Sequence, residues 1–193
     1  MSLLYAPSPL GAALFALCFF GWAAFELVVN LRLWHPASRH RDRFTRVAIL
    51  GGMLLAFALA VAATRLTALR FANPPVFWLG LALMLGGLAF RALAIAQLGR
   101  AFVPEVAIQP GQRLFTGGLY NTLRHPSYTG TFLTILGYGL ALGNWLSLAV
   151  MLLIPGLVYG LRIAVEEAAL LEAFGDEYRA YMRRTKRLVP FIL

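Results

Sequence analysis

Apolar residues run along this chain in long blocks, and polar residues crowd into the gaps between them. Five blocks stand out, at about 9–33, 47–63, 76–98, 126–143 and 145–165. Each comes near the roughly 20 apolar residues that cross hydrocarbon as a helix. The pattern predicts an all-α integral membrane protein of about five transmembrane helices, a single membrane domain over residues 1–193. Only Gly143, Asn144 and Trp145 join the last two blocks, so these two helices are expected to form a tight antiparallel hairpin. The first block is longer than the apolar core of a signal peptide and follows no basic stretch, so it reads as a retained span.

Composition agrees. The 193 residues are 60% hydrophobic and 13% charged, whereas a soluble domain of that length must keep its periphery wet. The lone Cys18 lies inside an apolar block and forms no internal disulfide. Charge then gives orientation. Of 17 basic residues, only Arg65 and Arg70 fall on the second side, and Arg91 lies within a span. The rest follow the first, third and fifth blocks. The positive-inside bias predicts the N-terminus outside and the C-terminus in the cytoplasm, for a multi-pass protein expected in the inner or cell membrane. The net charge of +9 then reflects topology and attraction to anionic membrane lipids. A nucleic-acid partner is not indicated, because the arginines are scattered along membrane flanks and form no recognised module.

Two charges sit inside the apolar blocks, Glu26 and Arg91. Both blocks run from outside to inside, so both residues lie roughly 10 Å from the cytoplasmic surface at about 1.5 Å per residue. Buried membrane charges are paired or functional, and a structural ion pair is the leading expectation. The glycines of Gly86–Phe90 and Gly137–Gly139 also lie inside spans, where small residues let helices approach closely. No strand–GxGxxG–helix pattern supports a nucleotide fold. No metal is expected: His35, His40 and His125 are too few and too scattered. No G-x-S-x-G elbow supports a serine hydrolase.

Polar chemistry concentrates after the third block. The stretch from Gly99 to His125 is long for a connector, and VPEVAIQPGQRLFTGG could form two short extended pieces around a turn. It ends in Arg124-His125-Pro126. Proline favours an extended preceding residue and suits the first turn of a helix. Arg124 and His125 are thus placed at a helix mouth, where the N–H groups of Ser127, Tyr128 and Thr129 could favour an anion. A helix cap that binds a lipid phosphate fits equally well. A second cluster follows the fifth block. Arg162 and Glu166 share a helix face, and Glu167 points about 100° away from Glu166. The hairpin brings this cluster to the same membrane side as Arg124 and His125. The carboxylates could be salt-bridged to their own arginines or to Arg124, or could meet a ligand held against the first motif.

The run GLYNTLRHPSYTG, followed by R-I-x-x-E-E and F-G-x-x-Y-x-x-Y with a terminal Arg and Pro, resembles the isoprenylcysteine carboxyl methyltransferase and phospholipid methyltransferase family. The resemblance covers about residues 98–190 and implies that this half binds S-adenosylmethionine in a cytoplasmic pocket closed by the loop and a C-terminal helical tail. It implies a lipophilic or lipidated substrate entering from the bilayer. Tyr120, His125, Pro126, Tyr128, Gly130 and Glu167 correspond to cofactor-binding positions. Arg124, Arg162 and Glu166 correspond to catalytic ones. The chain departs from the family where a basic pair precedes the G-x-Y, having Gln112 and Arg113 there.

The chemistry suits these residue types. His125 with the helix N-terminus could hold a carboxylate, a glutamate could meet an ammonium or ribose hydroxyl, and a tyrosine ring favours a sulfonium. An isoprenylcysteine-like carboxylate acceptor needs no base, because it is already ionised, and Arg124 or Arg162 could orient it. A phospholipid amine acceptor would need Glu166, Glu167 or His125 as base. The alternatives are an NADPH-dependent sterol-type reductase, which the paired motifs disfavour, and a non-enzymatic scaffold that binds lipid or a partner. On this reading, alanine at Glu167 or His125 abolishes cofactor binding while melting stays largely intact. The glycine-rich faces leave the oligomeric state open.

Overall fold

The computed structural model describes residues 6–32, 43–71, 73–99 and 113–188. Helices form in all five expected places: α1 (Pro9–Arg32), α2 (Arg43–Ala63), α3 (Pro74–Leu98), α4 (Pro126–Ala141) and α5 (Trp145–Arg184). Short 3-10 turns occur at Thr67–Leu69 and Gly118–Asn121. Among the described residues there is no strand, only two isolated bridges. The greater part of the segment expected to pair as extended pieces lies outside the described residues. Three helical stretches are long and apolar enough to cross a membrane: Pro9–Val29, Pro74–Leu98 and the 40-residue Trp145–Arg184. Leucines on α1, α2 and α5, such as Leu17, Leu54 and Leu157, are left exposed, as lipid contact requires.

Local chemistry sets the boundaries. Pro74 and Pro126 open α3 and α4, where the missing N–H has no partner to lose. Asn144 caps α5, accepting from the N–H groups of Leu146 and Ser147 at 3.0 and 3.1 Å. Its amide also donates to the carbonyls of Ala63 and Leu66, both at 3.1 Å, tying the hairpin to the end of α2. Gly143, with φ of 62°, supplies the left-handed residue this reversal needs. The fifth helix runs well beyond the expected end near residue 165. Its direction changes at Gly175, where φ is 50° and ψ is −119°.

The core is aromatic toward the end of the bundle that holds the start of α3 and the end of α4. Phe15 packs on Phe77 and Tyr138, and Phe57 meets Tyr138 edge-on at 4.8 Å. Helices α3 and α4 form the closest pair in the fold, and glycine is the reason. A Cβ on Gly87 would lie 2.6 Å from the Gly130 carbonyl oxygen, and one on Gly80 would lie 2.6 Å from that of Gly137. The expected role of intramembrane glycines in close approach holds for Gly87 and Gly137, while Gly86 faces open space. Gly87→Ala is therefore expected to cost about 1–3 kcal/mol or more through overpacking. Gly86→Ala should leave melting in detergent unchanged or slightly raised. Equal melting temperatures for the two variants would contradict this packing.

Candidate active site

The start of α4 and the far end of α5 are stitched together by the C-terminal tail. Beyond α5, Lys186 forms a parallel bridge with Leu123. The Lys186 N–H donates to the Thr122 carbonyl at 2.9 Å. The Arg124 and His125 N–H groups donate to the carbonyls of Lys186 and Arg187 at 2.7 and 3.2 Å. Thr129 Oγ1 donates to the Leu188 carbonyl at 2.7 Å. Tyr181 donates its hydroxyl to the Tyr120 carbonyl at 2.6 Å. The tail thus runs as an extended strap along the residues just before α4.

Inside this strap lies a charge cluster centred on Glu167. Arg124 Nε donates to Glu167 Oε1 at 2.9 Å, and Arg187 Nη2 to Oε2 at 2.7 Å. His125 Nε2 lies 3.3 Å from Oε1. Arg124 is further engaged by the carbonyls of Met182 and Thr185 at 3.1 and 2.7 Å. Glu167 lies beyond the apolar stretch of α5. Burial pushes its carboxyl up, but hydrogen bonds from His125, Arg187 and Arg124, with the charge of His125, outweigh burial and bring it from 4.5 to about 2. Such a depressed acid contributes stability that is full above about 4.5, declines as pH falls, and is gone below about 2. The strap should therefore resist proteolysis down to about pH 4 and become cleavable between there and about pH 2. Cleavage that sets in near neutral pH would contradict the cluster.

Glu166 is differently placed. Its side chain is 32% exposed against 6% for Glu167. Tyr128 donates its hydroxyl to Glu166 Oε2 at 2.9 Å, and Arg162 Nε approaches the Tyr128 oxygen at 3.4 Å. The Tyr128 ring stacks on His125 at 5.6 Å. The divergence of about 100° expected for the two glutamates is realised around one histidine, since His125 Nδ1 is also 4.0 Å from Glu166. One carboxylate holds the fold and the other remains reachable.

Several residues have other work than the sequence indicated. The N–H groups of Tyr128 and Thr129 bond to the His125 carbonyl at 3.0 and 3.1 Å, so they do not form an open anion nest. Gly130 faces α3, and a Cβ there would meet the Arg91 nitrogen at 2.6 Å; its visible role is helix packing. Pro126 is buried as the opening residue of α4. Tyr120 is buried against Phe115, its hydroxyl 3.4 Å from the Ala94 carbonyl. The hydrogen-bonding capacity of Arg124 is largely taken up, which argues against its orienting a substrate. Glu26 and Arg91 form the expected ion pair, with Nε to Oε1 at 2.6 Å. Tyr181 and Arg187 belong to the F-G-x-x-Y-x-x-Y and terminal Arg of the quoted pattern, but the sequence assigned neither a role, and Thr185 lies outside that pattern. The terminal arginine of the tail was the available signal for Arg187. Gln112 lies outside the described residues, and Arg113 is exposed.

Comparison with known proteins gives this geometry a context. Residues 75–177 match the family described as phospholipid methyltransferase. A probable protein-S-isoprenylcysteine O-methyltransferase of Oryza sativa subsp. indica is 30% identical over 161 residues, covering 80% of this chain and 84% of that protein. The chain belongs to this methyltransferase family. The protein-S-isoprenylcysteine O-methyltransferase of Schizosaccharomyces pombe is 36% identical over 108 residues, 55% of this chain and 46% of that protein. The solved structure of the eukaryotic intramembrane Ras methyltransferase ICMT (isoprenylcysteine carboxyl methyltransferase) matches with a TM-score of 0.57 and 28% identity. That match covers 76% of this chain and 52% of that one. The chain thus spans about half the length of the yeast relative and of the solved structure. Its apolar helices and this shared fold make it an integral membrane protein. The matched family region contains both motifs and ends before the strap.

Proposed function

We propose that this protein transfers a methyl group from S-adenosylmethionine to the carboxylate of an isoprenylcysteine-like, membrane-resident acceptor. The carrying observation is the convergence of the accessible Glu166 and the Tyr128–His125 stack at the meeting of α4 and α5, in a chain of this methyltransferase family. These residues fit the cofactor's chemistry. A reachable carboxylate suits its ammonium or ribose hydroxyls, an aromatic ring suits its sulfonium, and an imidazole suits its carboxylate. When bound, the cofactor supplies an electrophilic methyl group.

The protein's part is alignment and exclusion of water. Glu166, Tyr128 and His125 hold the cofactor. Tyr120, Pro126, Gly130 and Glu167 build the walls and the strap behind it, within a cofactor-binding half of about residues 98–190. Arg162, buried beside Tyr128, orients the acceptor carboxylate, and Arg124 holds Glu167 in place. An ionised acceptor needs no proton removed, so no general base is assigned. Five crossings by α1 to α5, with the N-terminus outside and the strap in the cytoplasm, complete the reading. Isothermal titration with S-adenosylhomocysteine, and in parallel NADPH, tests it, followed by methyl transfer to a farnesylated cysteine or to phosphatidylethanolamine. Saturable S-adenosylhomocysteine binding and carboxyl methylation are expected. Transfer to the amine would move the acceptor class, and binding of NADPH alone would overturn the methyltransferase reading.

A further inference from the structure

The Glu26–Arg91 pair has an unusual third partner. Arg91 Nη1 donates to Ser127 Oγ at 2.7 Å and reaches the Ser127 carbonyl at 3.3 Å. Its Nη2 donates to Glu26 Oε2 at 2.9 Å. One guanidinium thus ties α1 to the residue between Pro126 and Tyr128. The α3 backbone at Arg91 is itself pressed against Gly130, so this arginine meets the first turn of α4 through both backbone and side chain.

Stability alone does not call for charges here. Toward the end of the bundle that holds the start of α3, the same three helices are joined by Phe15, Phe77 and Tyr138. Replacing a buried ion pair with well-packed apolar side chains is often neutral or stabilising. A charged pair does supply a directed, rigid geometry, because a bidentate guanidinium fixes its partner in angle as well as distance. Removing Glu26 would take away the carboxylate that holds Arg91 Nη2 and Nε, so the guanidinium would lose the anchor that aims Nη1 at Ser127.

We propose that Glu26 is a positioning residue for the cofactor site: through Arg91 and Ser127 it fixes the first turn of α4, so that Tyr128 meets Glu166 and stacks on His125. This rests on the methyltransferase reading of that site. It assigns a task to α1, which lies outside the matched family region.

The test is S-adenosylhomocysteine affinity and melting temperature for purified wild type, Glu26→Gln, Glu26→Asp, Ser127→Ala and the Glu26→Gln/Ser127→Ala double variant. Glu26→Gln and Ser127→Ala should each weaken binding about tenfold, the loss of one strong hydrogen bond. The double variant should bind about as well as either single, because both act through one arginine. Glu26→Asp should recover affinity to within about threefold of wild type, which a general loss of packing would not allow. Unchanged affinity in the folded single variants, a double variant showing the product of the two losses, or an aspartate variant as weak as the glutamine one would overturn the proposal. If Glu26→Gln does not fold, Ser127→Ala decides alone, and unchanged affinity there is fatal. Failure of folded wild type to bind S-adenosylhomocysteine would instead reject the methyltransferase reading.

Discussion

Glu167→Ala is expected to lower the melting temperature by about 10 °C and to free the C-terminal strap. Breaking a buried ion pair by removing one partner costs about 3–5 kcal/mol, and each kcal/mol moves the midpoint of a chain of this size by about 2–4 °C. Glu167 faces three groups, Arg124, His125 and Arg187. The first two are largely buried, and they would be left without their counter-charge. Arg187 is 51% exposed and can return to water, which keeps the loss toward the lower end. Thermal melting in detergent with proteolysis of the tail measures both effects. An unchanged midpoint with an intact strap would reject the structural role. This revises the expectation from sequence that alanine at this position would spare folding. Any loss of cofactor binding in this variant is read against its melting.

Glu166→Gln is expected to do the reverse: binding of S-adenosylhomocysteine weakens about 10- to 100-fold while melting moves by no more than about 2 °C. The range corresponds to one hydrogen bond to a charged group, about 1.5–3 kcal/mol. Melting is spared because the side chain is half-buried and the Tyr128 hydroxyl at 2.9 Å, with His125 Nδ1 farther off at 4.0 Å, can be met by an amide as well. Calorimetric titration beside a melting curve separates the two glutamates. Equal loss of stability in both variants would dissolve the division between a carboxylate that holds the fold and one that meets a ligand.

That division marks how far the sequence could be read. Adjacent Glu166 and Glu167 were visible as a pair, and the helical angle placed them on different faces. Which face would be buried depended on the strap formed by Lys186 to Leu188, over 50 residues beyond the histidine motif. Nothing local in the tail announces that its carbonyls will accept from Arg124 and His125. From sequence, Arg124 was either a salt-bridge partner of the carboxylates or a group able to orient an acceptor carboxylate. The salt bridge forms, with Glu167, and two carbonyls at the end of α5 take up more of the guanidinium. Gly130 belonged to the motif, but its neighbour is the backbone of α3.

Sequence by itself determined the class and the element order. Block length and apolar composition suffice, because hydrocarbon demands internally bonded backbone and leaves helices as the answer here. It also located the hairpin, the proline-opened start of α4, and the Glu26–Arg91 pair, since a buried charge must find its opposite. The tertiary structure decided which groups remain reachable. The contact between Glu167 and Arg124 joins residues far apart in the chain, as does that between Arg91 and Ser127, whose geometry follows from how closely glycine lets α3 and α4 approach. A list of residue types records what could pair, whereas packing distances select which pairs form and which of the two adjacent glutamates stays reachable.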